Sequence, residues 1–266
     1  MRIKANPEQD WRRFGELDPY YGVLSFNKFK NEHLNETTKE HFFNTGVKHM
    51  QSCLDVAKAL FSLGSGRALD FGCGVGRLTC AMAPHFSEVV GLDLSPGMLT
   101  EARKESTKRA LNNIIYDLST EESRFAPGIY DFVHSYLVLQ HIPVSKGEDI
   151  IKKMLVSLKV QGVGAIHLTY GHSQNTIFGP LREIIKHFLP LRVIGNFILG
   201  RAWNYPAMQM NNYNISRILK IFSDHNINKL IVYNVDNWGS AGLYLFFQKP
   251  DLATALTPWS NPIRKV

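Results

Sequence analysis

Ala68-Leu69-Asp70-Phe71-Gly72-Cys73-Gly74-Val75-Gly76-Arg77-Leu78-Thr79 is the stretch from which the rest of the chain can be read. Its apolar start, Ala68 to Phe71, has the character of the end of a buried strand. Three glycines then alternate with other residues, and a helical pattern opens near Arg77. Strand, glycine-rich turn and helix N-terminus together make a cradle for a nucleotide-like ligand. Glycine is required because a side chain would hold the backbone off the ligand, and because the turn visits positive φ. The dinucleotide fingerprint needs a further glycine three residues after Gly74, where this chain has Arg77. No Lys-Ser/Thr pair follows, so the loop is not a P-loop. Asp93 ends a second apolar run, Glu88 to Leu94, and lies 21 residues after Gly72. A carboxylate at the tip of a second parallel strand accepts hydrogen bonds from both ribose hydroxyls, whichever nucleotide cofactor is bound. Ser95 and Pro96 then supply an N-cap and a first helical residue.

The acidic residue two positions before Gly72, the Gly-x-Gly-x-Gly spacing, Asp93 and Ser95-Pro96-Gly97-Met98 together resemble the first two motifs of class I methyltransferases that use S-adenosylmethionine (SAM). The resemblance implies that Gly72, Cys73, Gly74 and Gly76, with Arg77 after them, underlie the methionine part of SAM. Asp70 then helps hold the ammonium group, Asp93 the ribose, and Leu94 and Met98 lie near the adenine. Asn113 to Leu118 is similar to the third strand of the family, where a polar residue meets the adenine amino group. Asp117, beside Leu118, is the nearest match, and Ser119, Glu121 and Glu122 serve after a small shift. Tyr130 to Ser135 resembles the fourth strand, with Asp131 at its acidic start. It leads into Tyr136-Leu137-Val138-Leu139-Gln140-His141-Ile142-Pro143, an ending shared by many methyltransferases of small molecules; Ser135 and Gln140 join the cofactor set. The Asp/Asn-Pro-Pro-Tyr element of enzymes that methylate exocyclic base amines is not found there.

Between residues 67 and 170 strands and helices alternate: 67–71, 77–84, 88–94, 96–110, 113–117, 129–136, 146–159 and 162–170. That is the doubly wound α/β pattern, with ligands at the carboxyl ends of the strands. Strands at 228–236 and 241–249 are spaced for an antiparallel hairpin. The resemblance implies a seven-stranded sheet, mostly parallel, with an antiparallel last strand. The expected organisation is an N-terminal lid segment at 1–65, a SAM-binding domain at 66–171 and 212–249, an inserted cap at 172–211, and a tail at 250–266. Residues 36–62 carry helical periodicity, whereas Asp18-Pro19-Tyr20-Tyr21-Gly22 reads as a turn.

Of the chain, 44% is apolar, ordinary for a globular protein. Three cysteines without metal-ligand spacing fit a reduced compartment, and Met1-Arg2-Ile3-Lys4 leads into polar sequence rather than an apolar h-region. No apolar stretch is long enough to span a bilayer, so a cytoplasmic location is expected. The net charge of +7 raises a nucleic-acid reading. Its one cluster, Arg103, Lys104, Lys108 and Arg109, is interleaved with Glu101 and Glu105, as on a solvated helix face. Nucleic acid is therefore not the expected partner.

For catalysis His141 stands where a strand-end loop faces the methyl group, as a general base or as a residue that orders the loop. Tyr170 and His172, at the next strand end, are its rivals. Tyr20 and Tyr21 from the lid, and Trp203, Tyr205, Met208, Met210 and Tyr213 after the cap, are candidates for the acceptor wall. The apolar stripe from Phe178 to Ile198, interrupted by Pro190 and punctuated by Arg182, Lys186, Arg192 and Arg201, either packs on the core or makes peripheral membrane contact through 178–201. No metal site is expected. The expected activity is methyl transfer from SAM to a small-molecule or lipid-linked acceptor, at oxygen. The alternatives are a non-catalytic SAM-binding subunit and an RNA methyltransferase.

Overall fold

A computed structural model describes residues 6–172, 189–198, 202–236 and 239–251. Fifteen elements matter to the site. The N-terminal arm holds α1 (Pro7–Leu17), α2 (Pro19–Val23) and α3 (Glu36–Leu60). Then come β1 (Arg67–Phe71), α4 (Arg77–Met82), β2 (Glu88–Asp93), α5 (Pro96–Lys108), β3 (Ile114–Leu118) and β4 (Tyr130–Ser135). The second half contains α6 (Val144–Ser157), β5 (Leu158–His172), α7 (Leu189–Ile198), α8 (Ile215–Asp224), β6 (Leu230–Asp236) and β7 (Ser240–Gln248).

The seven strands lie in the order β3-β2-β1-β4-β5-β7-β6. β1, β2, β3, β4 and β5 pair in parallel; β7 runs antiparallel to both its neighbours. From β1 the chain first winds outward to β2 and β3, then returns to pair β4 on the other side. The reversal opens a crevice at the carboxyl end of β1, where α/β sheets bind ligands.

Each face of the sheet is buried under helices. Met50, Leu54 and Ala57 of α3 and Leu78 and Met82 of α4 pack on Ala68, Val89 and Phe132. On the other face Ile151, Met154 and Leu155 of α6 and Ile218 and Phe222 of α8 cover Leu69, Val90 and Ile166. α3 begins at a capping box, in which Asn35 accepts from the Thr38 N–H and Thr38 Oγ1 accepts from the Asn35 N–H.

One local reading needs correction. Asp18 to Gly22 is not a simple turn: Pro19 opens α2, where its missing N–H needs no partner and its fixed φ suits the first helical residue. Pro190 lies in α7, while the part of the apolar stripe and expected cap at 173–188 and the tail beyond 251 lie outside the described residues. Among the described residues no helix is long and apolar enough to cross a membrane.

Candidate active site

The glycine loop is tied to the end of β2. Gly72 and Cys73 donate their N–H groups to Leu92 O at 2.7 and 3.0 Å. Gly74 N–H donates to Asp93 Oδ2 and Ser95 N–H to Asp93 Oδ1, both at 2.9 Å. Burial pushes the Asp93 carboxyl above its ordinary range, and these backbone donors oppose that shift. Gly72 and Gly76 have φ of +76° and +81°. A Cβ at Gly72 would come within 2.3 Å of a Val138 methyl, and one at Gly76 within 2.6 Å of the Tyr116 hydroxyl. Both positions thus need glycine for conformation and for space.

Asp70 ends inside the sheet, 2% exposed. Thr79 Oγ1 donates to its Oδ2 at 2.6 Å, and His134 Nδ1 lies 3.0 Å from its Oδ1. A carboxylate only accepts, so His134 carries the proton on Nδ1. Arg77 at the start of α4 is buried, with Nη1 donating to Thr45 Oγ1 at 3.3 Å and Nε without a hydrogen-bond partner among the described residues. Desolvation lowers its pKa to about 10.

A cavity of about 490 Å³ runs over this floor. Asp70, Gly72, Cys73, Gly74 and Arg77 line one part of it, and Asp93, Leu94 and Met98 another. Gln140 and His141 also face it. Of the other residues expected at the cofactor, Gly76, Asp117, Leu118 and Ser135 are not in its wall. Asp117 is ion-paired to Arg124, whose Nε lies 2.7 Å from Oδ2. Ser119, the alternative to Asp117, does line the cavity.

The acceptor wall differs more from expectation. Tyr20 is buried in the arm and donates its hydroxyl to Glu105 Oε1 at 2.7 Å. Tyr21 packs beside it under Lys30. Tyr213 is buried and donates to Leu139 O and Ile142 O at 2.9 and 3.1 Å, which pins the loop that carries Gln140 and His141. Tyr205 packs edge-on against Phe14, and Trp203 is exposed. None of these five aromatics lines the cavity, and the four tyrosines brace the structure around it. The wall consists instead of Trp11 and Val23 from the arm, with Met208 and Met210. The methionines were expected; Trp11 and Val23 were not, because the arm shows no motif.

His141 is held on three sides. Its Nδ1 lies 2.8 Å from Gln209 O, its Nε2 lies 3.1 Å from Gln140 Nε2, and its ring packs 4.8 Å from Trp11. The Gln209 carbonyl only accepts, so Nδ1 bears the proton and Nε2 presents its lone pair. Thr169 Oγ1 donates to Gln140 Oε1 at 2.7 Å, and this turns the Gln140 amide nitrogen toward His141. Of its rivals, Tyr170 is exposed and outside the cavity wall. The backbone of His172 pairs with Ser240 at the edge of the cavity. Among the described residues no group of His, Cys, Asp and Glu has metal-binding geometry.

The fold is that of known methyltransferase structures. Magnesium protoporphyrin IX methyltransferase from Synechocystis PCC 6803, crystallised with SAM, superposes with a TM-score of 0.56 at 15% identity, covering 94% of this chain and 100% of that one. Residues 68–162 match the family model of a methyltransferase domain. Residues 68–162 thus carry a methyltransferase domain, set in the fold of SAM-dependent methyltransferases. The methyltransferase is 34% identical over 95 residues to the ubiquinone biosynthesis O-methyltransferase of Xanthomonas campestris pv. campestris, covering 34% of this chain and 38% of that protein. It is 40% identical over 78 residues to the aklanonic acid methyltransferase DauC of Streptomyces sp. strain C5, covering 27% and 36%. The chain thus spans less than two fifths of either relative's length.

The cavity suits SAM, the cofactor of this domain family. Its floor offers one buried carboxylate, Asp70, and one buried guanidinium, Arg77, with an unpartnered Nε. Buried charges are rarely left without a partner. An α-amino acid group, with an ammonium and a carboxylate, matches this pair. Asp93, aimed by two backbone N–H groups, retains lone pairs for ribose hydroxyls.

Proposed function

We propose that the methyltransferase moves the methyl group of SAM to an oxygen atom of a small or lipid-linked, largely apolar acceptor. One observation carries this reading. The cavity that Asp93 lines is also lined by Trp11, Val23, Met208 and Met210 and by the His141 imidazole, which gives it a largely apolar chamber beside a base. The Xanthomonas relative is an O-methyltransferase by name, which supports the choice of oxygen.

Bound SAM supplies a methyl group made electrophilic by its sulfonium. What remains for the protein is alignment, exclusion of water and disposal of one proton. Trp11 and Val23 close the chamber from the arm, which is docked by the Glu8–Lys146 ion pair and by the approach of Gly15 to Ser95. In the proposed complex the acceptor hydroxyl replaces the Gln140 amide at His141 Nε2. As the oxygen takes the methyl group, its proton passes to Nε2, while Nδ1–H stays on the Gln209 carbonyl.

Two observations bear on the kind of acceptor. Three of the four cations in the basic cluster at α5 are ion-paired: Lys104 with Glu101, Lys108 with Glu36, and Arg109 with Glu40 and Glu105, while Arg103 donates to the Tyr116 carbonyl. That leaves little of an RNA footprint. In α7, Ile194, Phe197 and Ile198 are exposed, and Asn196 ties the helix to the backbone of Trp203 and Tyr205, just before the methionines of the chamber. An apolar face on this helix supports an acceptor with a lipid tail.

The test is conversion of SAM to S-adenosylhomocysteine by the purified chain against phenols, carboxylic acids and prenylated phenols in lipid vesicles. Turnover with an oxygen acceptor supports the reading. Binding of SAM without turnover in any pool favours the non-catalytic subunit, and turnover with RNA overturns the acceptor class.

A further inference from the structure

Behind the cavity floor, side chains from four elements meet in a buried chain of hydrogen bonds of which only Asp70 belongs to a cofactor motif. It starts at Asp70 on β1 and passes to His134 on β4, whose Nδ1 lies 3.0 Å from Asp70 Oδ1. His134 is fully buried, and its Nε2 lies 2.9 Å from the hydroxyl of Tyr244 on β7. The same phenol oxygen lies 3.1 Å from Cys53 Sγ and 3.4 Å from His49 Nε2, both on α3.

The protons in this chain can be placed one by one. Asp70 only accepts, so His134 donates from Nδ1, which leaves Nε2 as the acceptor for the Tyr244 O–H. Burial pushes the Tyr244 phenol well above its ordinary range, so it keeps that proton. Burial also raises the Cys53 thiol to about 12 and lowers His49 to about 3, so neither carries charge near neutral pH. His167 on β5 is lowered in the same way. The charged groups around Asp70 are thus Arg77 on α4 and Asp93 on β2.

We propose that His134 and Tyr244, neither of which lines the cavity, are positioning residues for the ammonium end of SAM: they lock one Asp70 oxygen and so set the direction in which the carboxylate faces the ligand. The inference rests on the reading of the cavity as the SAM site. Thr79 holds the other oxygen, and the two donors together fix the rotation of the carboxylate. Without His134 the group can turn, or draw water into a buried space, and its match to a fixed ammonium is lost. Tyr244 acts one step further out. Its hydroxyl holds the imidazole in the tautomer that donates to Asp70.

Two ligands separate this role from general support of the fold. S-adenosylhomocysteine carries the amino acid end, and 5′-methylthioadenosine has the same nucleoside without it. Calorimetry on the wild type, His134→Leu, His134→Asn and Tyr244→Phe gives both affinities for each. His134→Leu should weaken S-adenosylhomocysteine about tenfold, the loss of roughly one charge-assisted hydrogen bond. 5′-Methylthioadenosine should stay within about twofold, because it does not reach Asp70. His134→Asn, whose amide donates from nearly the Nδ1 position, should restore most of the loss. Tyr244→Phe should show a smaller loss of the same kind, and it carries the test if His134→Leu does not fold. The proposal is overturned if both ligands weaken together, if neither changes, or if the asparagine variant behaves like leucine. Failure of the wild type to bind either ligand would instead remove the cofactor site itself.

Discussion

Acid should unfold this protein early, through two imidazoles that the fold keeps neutral. His49 on α3 and His167 on β5 lie behind the cavity floor, packed against Tyr136 at 4.0 and 5.1 Å between ring centroids. Burial lowers both to about 3, with His134 adding to the shift in each. In the unfolded chain each titrates near about 6.5. For a group whose folded pKa is lowered in this direction, the unfolded state binds the proton first, so stability falls as pH falls below the unfolded value. One imidazole contributes a slope of about 1.4 kcal/mol per pH unit once well below that value. From pH 7.5 to 5.0 the pair should therefore remove roughly 4 kcal/mol, a large share of the 5–15 kcal/mol of a typical domain. The window ends there because carboxylates begin to contribute below it. Urea unfolding followed by far-UV circular dichroism at pH 7.5, 6.5, 5.5 and 5.0 measures the slope, and replacement of both histidines by leucine should remove most of it. A wild type equally stable at pH 7.5 and 5.0, or a double variant that keeps the full slope, would refute the reasoning.

Asp93→Ala should weaken S-adenosylhomocysteine binding by about 1–3 kcal/mol in calorimetry, since ribose donors and the Gly74 and Ser95 N–H groups lose their acceptor together. Gly74→Val should abolish that binding in a chain that still unfolds cooperatively: the position has φ of +54°, and a Cβ would meet Val23 at 2.5 Å, which pushes the arm off the loop. His141→Ala should lower turnover by roughly 10²–10⁴-fold with little change in SAM affinity, and the wild-type rate should rise with pH through one ionisation; full turnover in the variant would leave positioning alone to carry the chemistry. Tyr213→Phe should cost about 1 kcal/mol in urea unfolding and raise the acceptor KM, because its hydroxyl pins the Gln140–His141 loop; an unchanged midpoint would deny it that role.

What could be read from the sequence alone is what lies close together along the chain. Gly72, Gly74, Gly76 and Asp70 form one uninterrupted turn, and Asp93 with Ser95 and Pro96 forms another. In both, backbone conformation and capping select the residues directly, so their spacing is a record of local chemistry. The doubly wound pattern followed from the alternation of strands and helices, which admits few windings, whereas the seven-strand sheet was implied by the family resemblance. The side chains whose roles changed are those whose surroundings come from distant segments. Asp117 looked available to adenine until Arg124 was seen to pair with it. Tyr20 and Tyr213 looked like pocket walls, but Glu105 and the Leu139 and Ile142 carbonyls take their hydroxyls 85, 74 and 71 residues away. Trp11 reaches His141 only because the arm folds back across the sheet. His134 shows no motif either, since its partners Asp70 and Tyr244 lie on different strands, 64 and 110 residues away. An aromatic or an imidazole has the same pattern in the sequence whether it lines a cavity or braces one. Only the packing of strands and helices from opposite ends of the chain decides which.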